Sequence, residues 1–126
     1  MEVKKKIVLI DDDITALDII AFLFDENGFE TERFTNGSEA VEFLADSSVD
    51  TRADIVLVDL MMPDINGIDT TKQIRSGGYS GPIIAFTALD DMDVQQEAKQ
   101  AGCNEVVTKP YQGKKLLELV NKWIEN

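Results

Sequence analysis

The sequence predicts an α/β protein built on a doubly wound, five-stranded parallel sheet. Three observations carry that prediction. Five short strand-type stretches alternate with five helix-type stretches along 126 residues. Four of the five strand stretches are unbroken apolar runs, as expected of strands covered on both faces by helices. The connections between them are short, which leaves little room for any other layering.

Taken in order, KIVLI (6–10) reads as the first buried strand. A helix over 14–27 follows, with Leu17, Ile20, Ala21 and Phe24 on one face and Gly28 at the position where a terminating glycine belongs. FETERF (29–34) alternates and predicts a half-buried strand. Asn36 and Glu39 form a capping-box pattern opening a helix that holds Val41, Phe43 and Leu44. DIVLV (54–58) is the third strand, and a loop over 59–66 leads to a helix over 67–76, stopped by Gly77 and Gly78. PIIAFT (82–87), a helix over 91–101 ending at Gly102, EVVT (105–108) and a helix over 112–125 complete the chain. Asp90-Asp91 is expected to cap the fourth helix, and Leu116, Leu117, Val120, Trp123 and Ile124 to face inward from the last. The strand order that fits is flavodoxin-like, 2-1-3-4-5. No repeat, low-complexity tract or linker marks a boundary, so one domain over 1–126 is expected.

Composition narrows the chemistry. There are 24 Asp plus Glu against 12 Lys plus Arg, a formal charge of −12. Nucleic acid and anionic membranes are therefore poor partners, since both need a basic patch. No apolar stretch reaches the length of a spanning helix, and no signal-peptide core follows the charged start, so no membrane contact is expected. One cysteine, Cys103, excludes an internal disulfide, and the cytoplasm is the default location. Cys103 itself reads as a small packing residue beside Gly102. Histidine is absent, which removes Ser-His-Asp and Cys-His catalysis and the common zinc sites.

The remaining chemistry collects at the strand ends. In a doubly wound sheet ligands sit outside the carboxyl ends, near the switch point between strands 1 and 3. Strand 1 runs into Asp11-Asp12-Asp13, strand 3 into Asp59, strand 4 into Thr87 and strand 5 into Lys109-Pro110. Asp11, Asp12 and Asp59 converge from neighbouring strands, and unneutralised carboxylates that close cannot all stay ionised. A hard dication such as Mg²⁺ resolves the conflict while leaving positions for water and phosphate oxygens. Asp13 reads as a helix cap or solvated side chain, Asp64 and Asp69 as loop and first-turn residues.

LIDDD (9–13), LVDLMMPDING (57–67), FTAL (86–89) and TKPY (108–111), in this order and at these strand ends, resemble the receiver domain of two-component response regulators, of the chemotaxis-regulator type. The resemblance covers essentially the whole chain. It implies phosphorylation on Asp59, with Mg²⁺ held directly by Asp12, Asp59 and the backbone carbonyl of Met61, and by Asp11 through a water. Thr87 would hydrogen-bond the phosphoryl group, Lys109 would pair with its oxygens, and the Lys109–Pro110 peptide would be cis. Pro63 and Gly67 would shape the loop that presents the Met61 carbonyl. The donor would be a phosphohistidine on a sensor histidine kinase or a histidine phosphotransfer protein, because this chain has no histidine. Phosphorylation would reshape the surface of helix 4, strand 5 and helix 5 for a downstream protein, and no output domain is expected within the chain.

Some positions depart from the family's habits. The usual switch aromatic, three before the lysine, is Val106, and Tyr111 cannot simply replace it. Met61 and Leu89 stand where side chains tune phosphate loss; both are apolar and cannot orient a water, so slow self-dephosphorylation is expected. Three rival readings are weaker. An aspartyl phosphohydrolase needs a general acid at residue 61. A flavin or nucleotide binder needs a phosphate loop where three aspartates stand. A phosphorylation-independent, receiver-like interaction module would be marked by a missing acceptor, lysine or acidic pair, and none is missing.

Overall fold

The structure, a computed structural model, describes residues 4–46, 53–62, 66–88 and 91–125. Pro63, Asp64, Leu89 and Asp90, for which the sequence suggests roles, lie outside the described residues. The elements are β1 (Lys6–Ile10), α1 (Ile14–Asp25), β2 (Glu30–Phe34), α2 (Gly37–Ala45), β3 (Ile55–Asp59), α3 (Gly67–Ser76), β4 (Ile83–Thr87), α4 (Met92–Ala101), β5 (Glu105–Thr108) and α5 (Gly113–Glu125). All strand pairs are parallel and the order is β2-β1-β3-β4-β5, as the sequence predicts.

Alternation along the central strands divides the interior into two layers. Ile7, Leu9, Ile55, Leu57, Ile84 and Phe86 point to one face, where they meet Leu17, Ile20 and Phe24 of α1 and Leu116 and Val120 of α5. Val8, Ile10, Val56, Val58, Ile83 and Ala85 point to the other, against Ala40 of α2, Ile74 of α3 and Ala98 of α4. Leu117, Trp123 and Ile124 pack half-buried on the first layer, Val41, Phe43 and Leu44 on the second. Neither edge strand has a fully buried residue: for β2 this is in keeping with its alternating sequence, whereas β5, expected to be covered on both faces, is only half-buried because β4 alone flanks it.

Local signals explain where the helices begin and end. Asp13 caps α1 by accepting from the N–H groups of Thr15 and Ala16 at 3.0 and 3.3 Å. Asn36, Asn66 and Asp91 cap α2, α3 and α4 by accepting from Glu39, Asp69 and Asp93. α4 closes on Gly102, whose φ of +123° suits glycine. α1 stops at Asp25, two residues earlier than its apolar pattern suggests, because the chain turns through Glu26–Gly28 to place Phe29 back on the core.

Candidate functional site

Register brings the chemistry to one edge. Ile10 pairs with Val58, so Asp11 and Asp59 follow on adjacent strands at the same level. Asp59 pairs with Phe86, and Thr87 pairs with Thr108 ahead of Lys109. The ladder runs through Asp59, which is the last residue of β3 and not the first of a loop; Leu60 N–H donates to the Phe86 carbonyl at 2.9 Å. A buried strand is stiff, so the carboxylate of Asp59 projects from a fixed base.

Asp11, Asp12 and Asp59 each offer a carboxylate oxygen, and these oxygens all lie within 4.8 Å of one another. Asp11 and Asp59 are buried and Asp12 is exposed. Lys109 Nζ lies 3.7 Å from Asp11 Oδ2 and 3.7 Å from Asp59 Oδ2. Thr87, fully buried, ends β4 beside them. The Lys109–Pro110 peptide is cis. Thus the acidic trio and Lys109 form one cluster, with Thr87 on the adjoining strand end.

Two backbone contacts that the sequence reading did not foresee orient the carboxylates. Asp13 N–H donates to Asp11 Oδ1 at 2.9 Å, and Met61 N–H donates to Asp59 Oδ1 at 3.0 Å. Each is an aspartate bonded to the amide two residues on, the Asx-turn geometry that an Asp at a strand-to-loop junction favours. Gly67 supports the second turn from behind. A Cβ there would collide with the Asp59 carbonyl oxygen and Leu60 Cα, so only glycine allows α3 to start this close to the end of β3.

The electrostatics are unfavourable without a cation. Burial, above all, pushes the Asp11 carboxyl up to about 6. The Asp13 N–H opposes the shift, the negative charge of Asp59 adds to it, Lys109 opposes it, and a hydrogen bond with Asp59 adds again. Burial and the Asp11 charge also hold the Tyr111 phenol above its ordinary value, hence neutral. One ammonium cannot balance three carboxylates. An all-oxygen donor set with one buried, reluctantly ionised member fits a small hard dication, and Mg²⁺ in particular, which keeps part of its own water.

A doubly wound sheet with an acidic, lysine-bearing pocket at the carboxyl ends of β1, β3 and β5 defines a receiver-type protein. Comparison with known proteins gives the family. Residues 7–121 match the response regulator receiver domain, and the chain belongs to that family. It is 34% identical to the sensory transduction protein RegX3 of Mycobacterium tuberculosis over 111 residues, 88% of this chain and 47% of that protein. The chain thus spans about half the length of the curated relatives it matches. Among solved structures, the receiver domain of the sensor histidine kinase PA1611 from Pseudomonas aeruginosa has a TM-score of 0.86 at 26% identity, over 98% of this chain and 100% of that one; it carries a magnesium ion coordinated in its active site cleft. The receiver domain of Francisella response regulator 1452 has a TM-score of 0.87 at 29% identity, over 97% and 98% of the two chains.

Proposed function

We propose that this chain is a phosphoacceptor receiver, taking a phosphoryl group from a phosphohistidine onto Asp59 in a Mg²⁺-dependent reaction. One observation carries the reading: two buried carboxylates and an exposed one share a pocket with a lysine 3.7 Å from both buried members. An interaction module that works without phosphorylation needs none of this, and the electrostatic cost of burying Asp11 beside Asp59 argues for use.

The chain's own residues divide the work. Asp59, held by the Met61 N–H, attacks phosphorus in line with the donor's P–N bond; that bond breaks, and the imidazole leaves with the electron pair. Bound Mg²⁺ supplies positive charge to the oxygens of the transferred group. Asp12, Asp59 and the Met61 carbonyl would hold the ion directly and Asp11 through a water. Lys109 pairs with a phosphoryl oxygen, and the Thr87 hydroxyl turns to hydrogen-bond another, carrying the loop after β4 with it. The α4–β5–α5 surface then presents a changed face to a downstream protein. Val106 is half-buried against the second core layer and has no aromatic ring to swing, so the Thr87 movement must act through packing. The donor is a sensor histidine kinase or a histidine phosphotransfer protein, and residues 1–126 form a single receiver domain working in the cytoplasm. No helix among the described residues is long and apolar enough to cross a membrane.

Two measurements test this. Acetyl phosphate or a cognate kinase should label the protein in Mg²⁺, and Asp59→Asn should abolish the label; label retained on that variant defeats the assignment. Mg²⁺ titration followed by amide shifts should saturate in the millimolar range and fail in Asp12→Ala. Equal binding by both proteins would remove Asp12 from the site.

A further inference from the structure

We infer that the Met61 thioether is an oxidation site whose state sets how long a phosphoryl group stays on Asp59, an inference that rests on the phosphoacceptor reading above. Three observations meet at this residue. Met61 is 58% exposed, whereas Met62 beside it is 8% exposed. Its backbone is tied to the acceptor through the bond from Met61 N–H to Asp59 Oδ1. The residue also borders a hollow of about 530 Å³ between the β3 end and α4, where Leu60, Met62, Ile68 and Val94 provide an apolar lining.

A thioether is a weak acceptor and holds no ordered water of its own. Oxidation reverses this. The sulfur lone pair attacks one oxygen of a peroxide, the O–O bond breaks, one oxygen stays on sulfur and the other leaves as water. Sulfur gives up two electrons and the peroxide takes them. The resulting sulfoxide is polar, ill-matched to an apolar hollow, and its oxygen is a strong hydrogen-bond acceptor. Turned outward, on a residue whose amide is bonded to Asp59, it can hold a water by accepting its O–H. Hydrolysis of an acyl phosphate needs such a water placed for attack on phosphorus, so the oxidised protein loses its phosphoryl group sooner. Exposure makes the thioether reachable by hydrogen peroxide, and its tether to Asp59 makes the change felt at the acceptor. Met92, 74% exposed at the start of α4, is open to the same oxidant and serves as an internal control.

The test uses the full chain. Protein is treated with hydrogen peroxide, the oxidised methionines are located by peptide mass spectrometry, and the protein is labelled with acetyl phosphate, freed of donor and followed as label is lost. Met61 and Met92 should oxidise before Met62, and label loss should quicken several-fold. A methionine sulfoxide reductase should restore the original rate. The peroxide response should persist in Met92→Leu and vanish in Met61→Leu, whatever the unoxidised rate of that variant. A lifetime indifferent to Met61 oxidation, a response that survives in Met61→Leu, or a Met61 that resists oxidation in the folded protein each overturns the inference while leaving Asp59 as acceptor. Untreated protein that takes no label overturns the acceptor reading and this inference together.

Discussion

Asp11 is 4% exposed and faces Asp59 across a pocket whose nearest cation, Lys109, is shared between them. Its carboxyl is raised from 3.8 to about 6, chiefly by burial. The folded state therefore holds this proton more tightly than the unfolded chain does. Stability from this group is fully present below about pH 4, falls as pH rises toward 6, and is flat above. The cost of ionising it in the fold is at most on the order of 3 kcal/mol. Asn at this position keeps an oxygen for the Asp13 N–H and carries no charge. Asp11→Asn should thus stabilise the metal-free protein by about 1–2 kcal/mol at pH 7.5, with the difference closing toward pH 4. Urea unfolding in a chelator at the two pH values measures this. An equal gap at both would mean that ionisation of Asp11 is not its source. The residues of the cluster were readable one by one, because carboxylates at the ends of apolar runs have few structural uses. The Asp13 and Met61 amides that aim them were not, since a backbone N–H is common to almost every residue and only the turn geometry singles these out.

Among the elements, those with strong local punctuation were the most legible. Gly28 and Gly102 mark helix ends, Asn36 a helix start, and the apolar runs of β1, β3 and β4 mark buried strands, whereas β5, expected to be covered like them, is a half-buried edge. Boundaries moved by a residue or two where long-range pairing decided them, as when the β3–β4 ladder drew Asp59 into the strand. The least legible device is Arg75, at the end of α3. Its Nε and Nη2 donate to the Gly102 carbonyl at 3.2 and 2.8 Å, Nη1 to the Tyr79 and Gly81 carbonyls at 3.0 and 2.7 Å, and Nη2 to Asn104 Oδ1 at 3.0 Å. One guanidinium thus fastens α3 to the turns before β4 and β5. Most of its partners are carbonyls that any sequence would supply, so no motif announces it. Removing it leaves several half-buried carbonyls unmatched. Arg75→Ala should cost about 2–3 kcal/mol in urea unfolding, and Arg75→Lys should recover little of that because an ammonium cannot reproduce the planar fork. Full recovery by lysine would reduce the cluster to simple charge.

Across the whole molecule, the carboxyl edge of the sheet joins two surfaces of opposite character. One is the acidic pocket. The other is an apolar hollow of about 800 Å³ between α1 and the β5–α5 loop, bordered by Ile19, Phe22, Leu23, Pro110 and Tyr111 and reached also by Lys109. The α1 pattern concealed it: Leu17, Ile20, Ala21 and Phe24 satisfy the core, yet Ile14, Ile19 and Phe22 remain 64%, 65% and 67% exposed, more apolar surface than an amphipathic helix leaves to water. A protein that donates a phosphoryl group to Asp59 must bring its phosphorus to bonding distance, so part of its surface has to lie over this edge. A small donor such as acetyl phosphate reaches the pocket without touching α1. Burying a phenyl side chain is worth about 1.5–3 kcal/mol, which corresponds to roughly tenfold or more in affinity. Phe22→Asp removes that gain and sets a carboxylate in its place. Transfer from a cognate kinase should fall by about tenfold or more while acetyl phosphate labelling holds, since Phe22 is on the exposed side of α1 and supports neither core layer. Side-by-side labelling with the two donors separates the cases. If both rates drop together, the substitution has disturbed the fold, and if neither drops, the donor approaches from another side of the pocket.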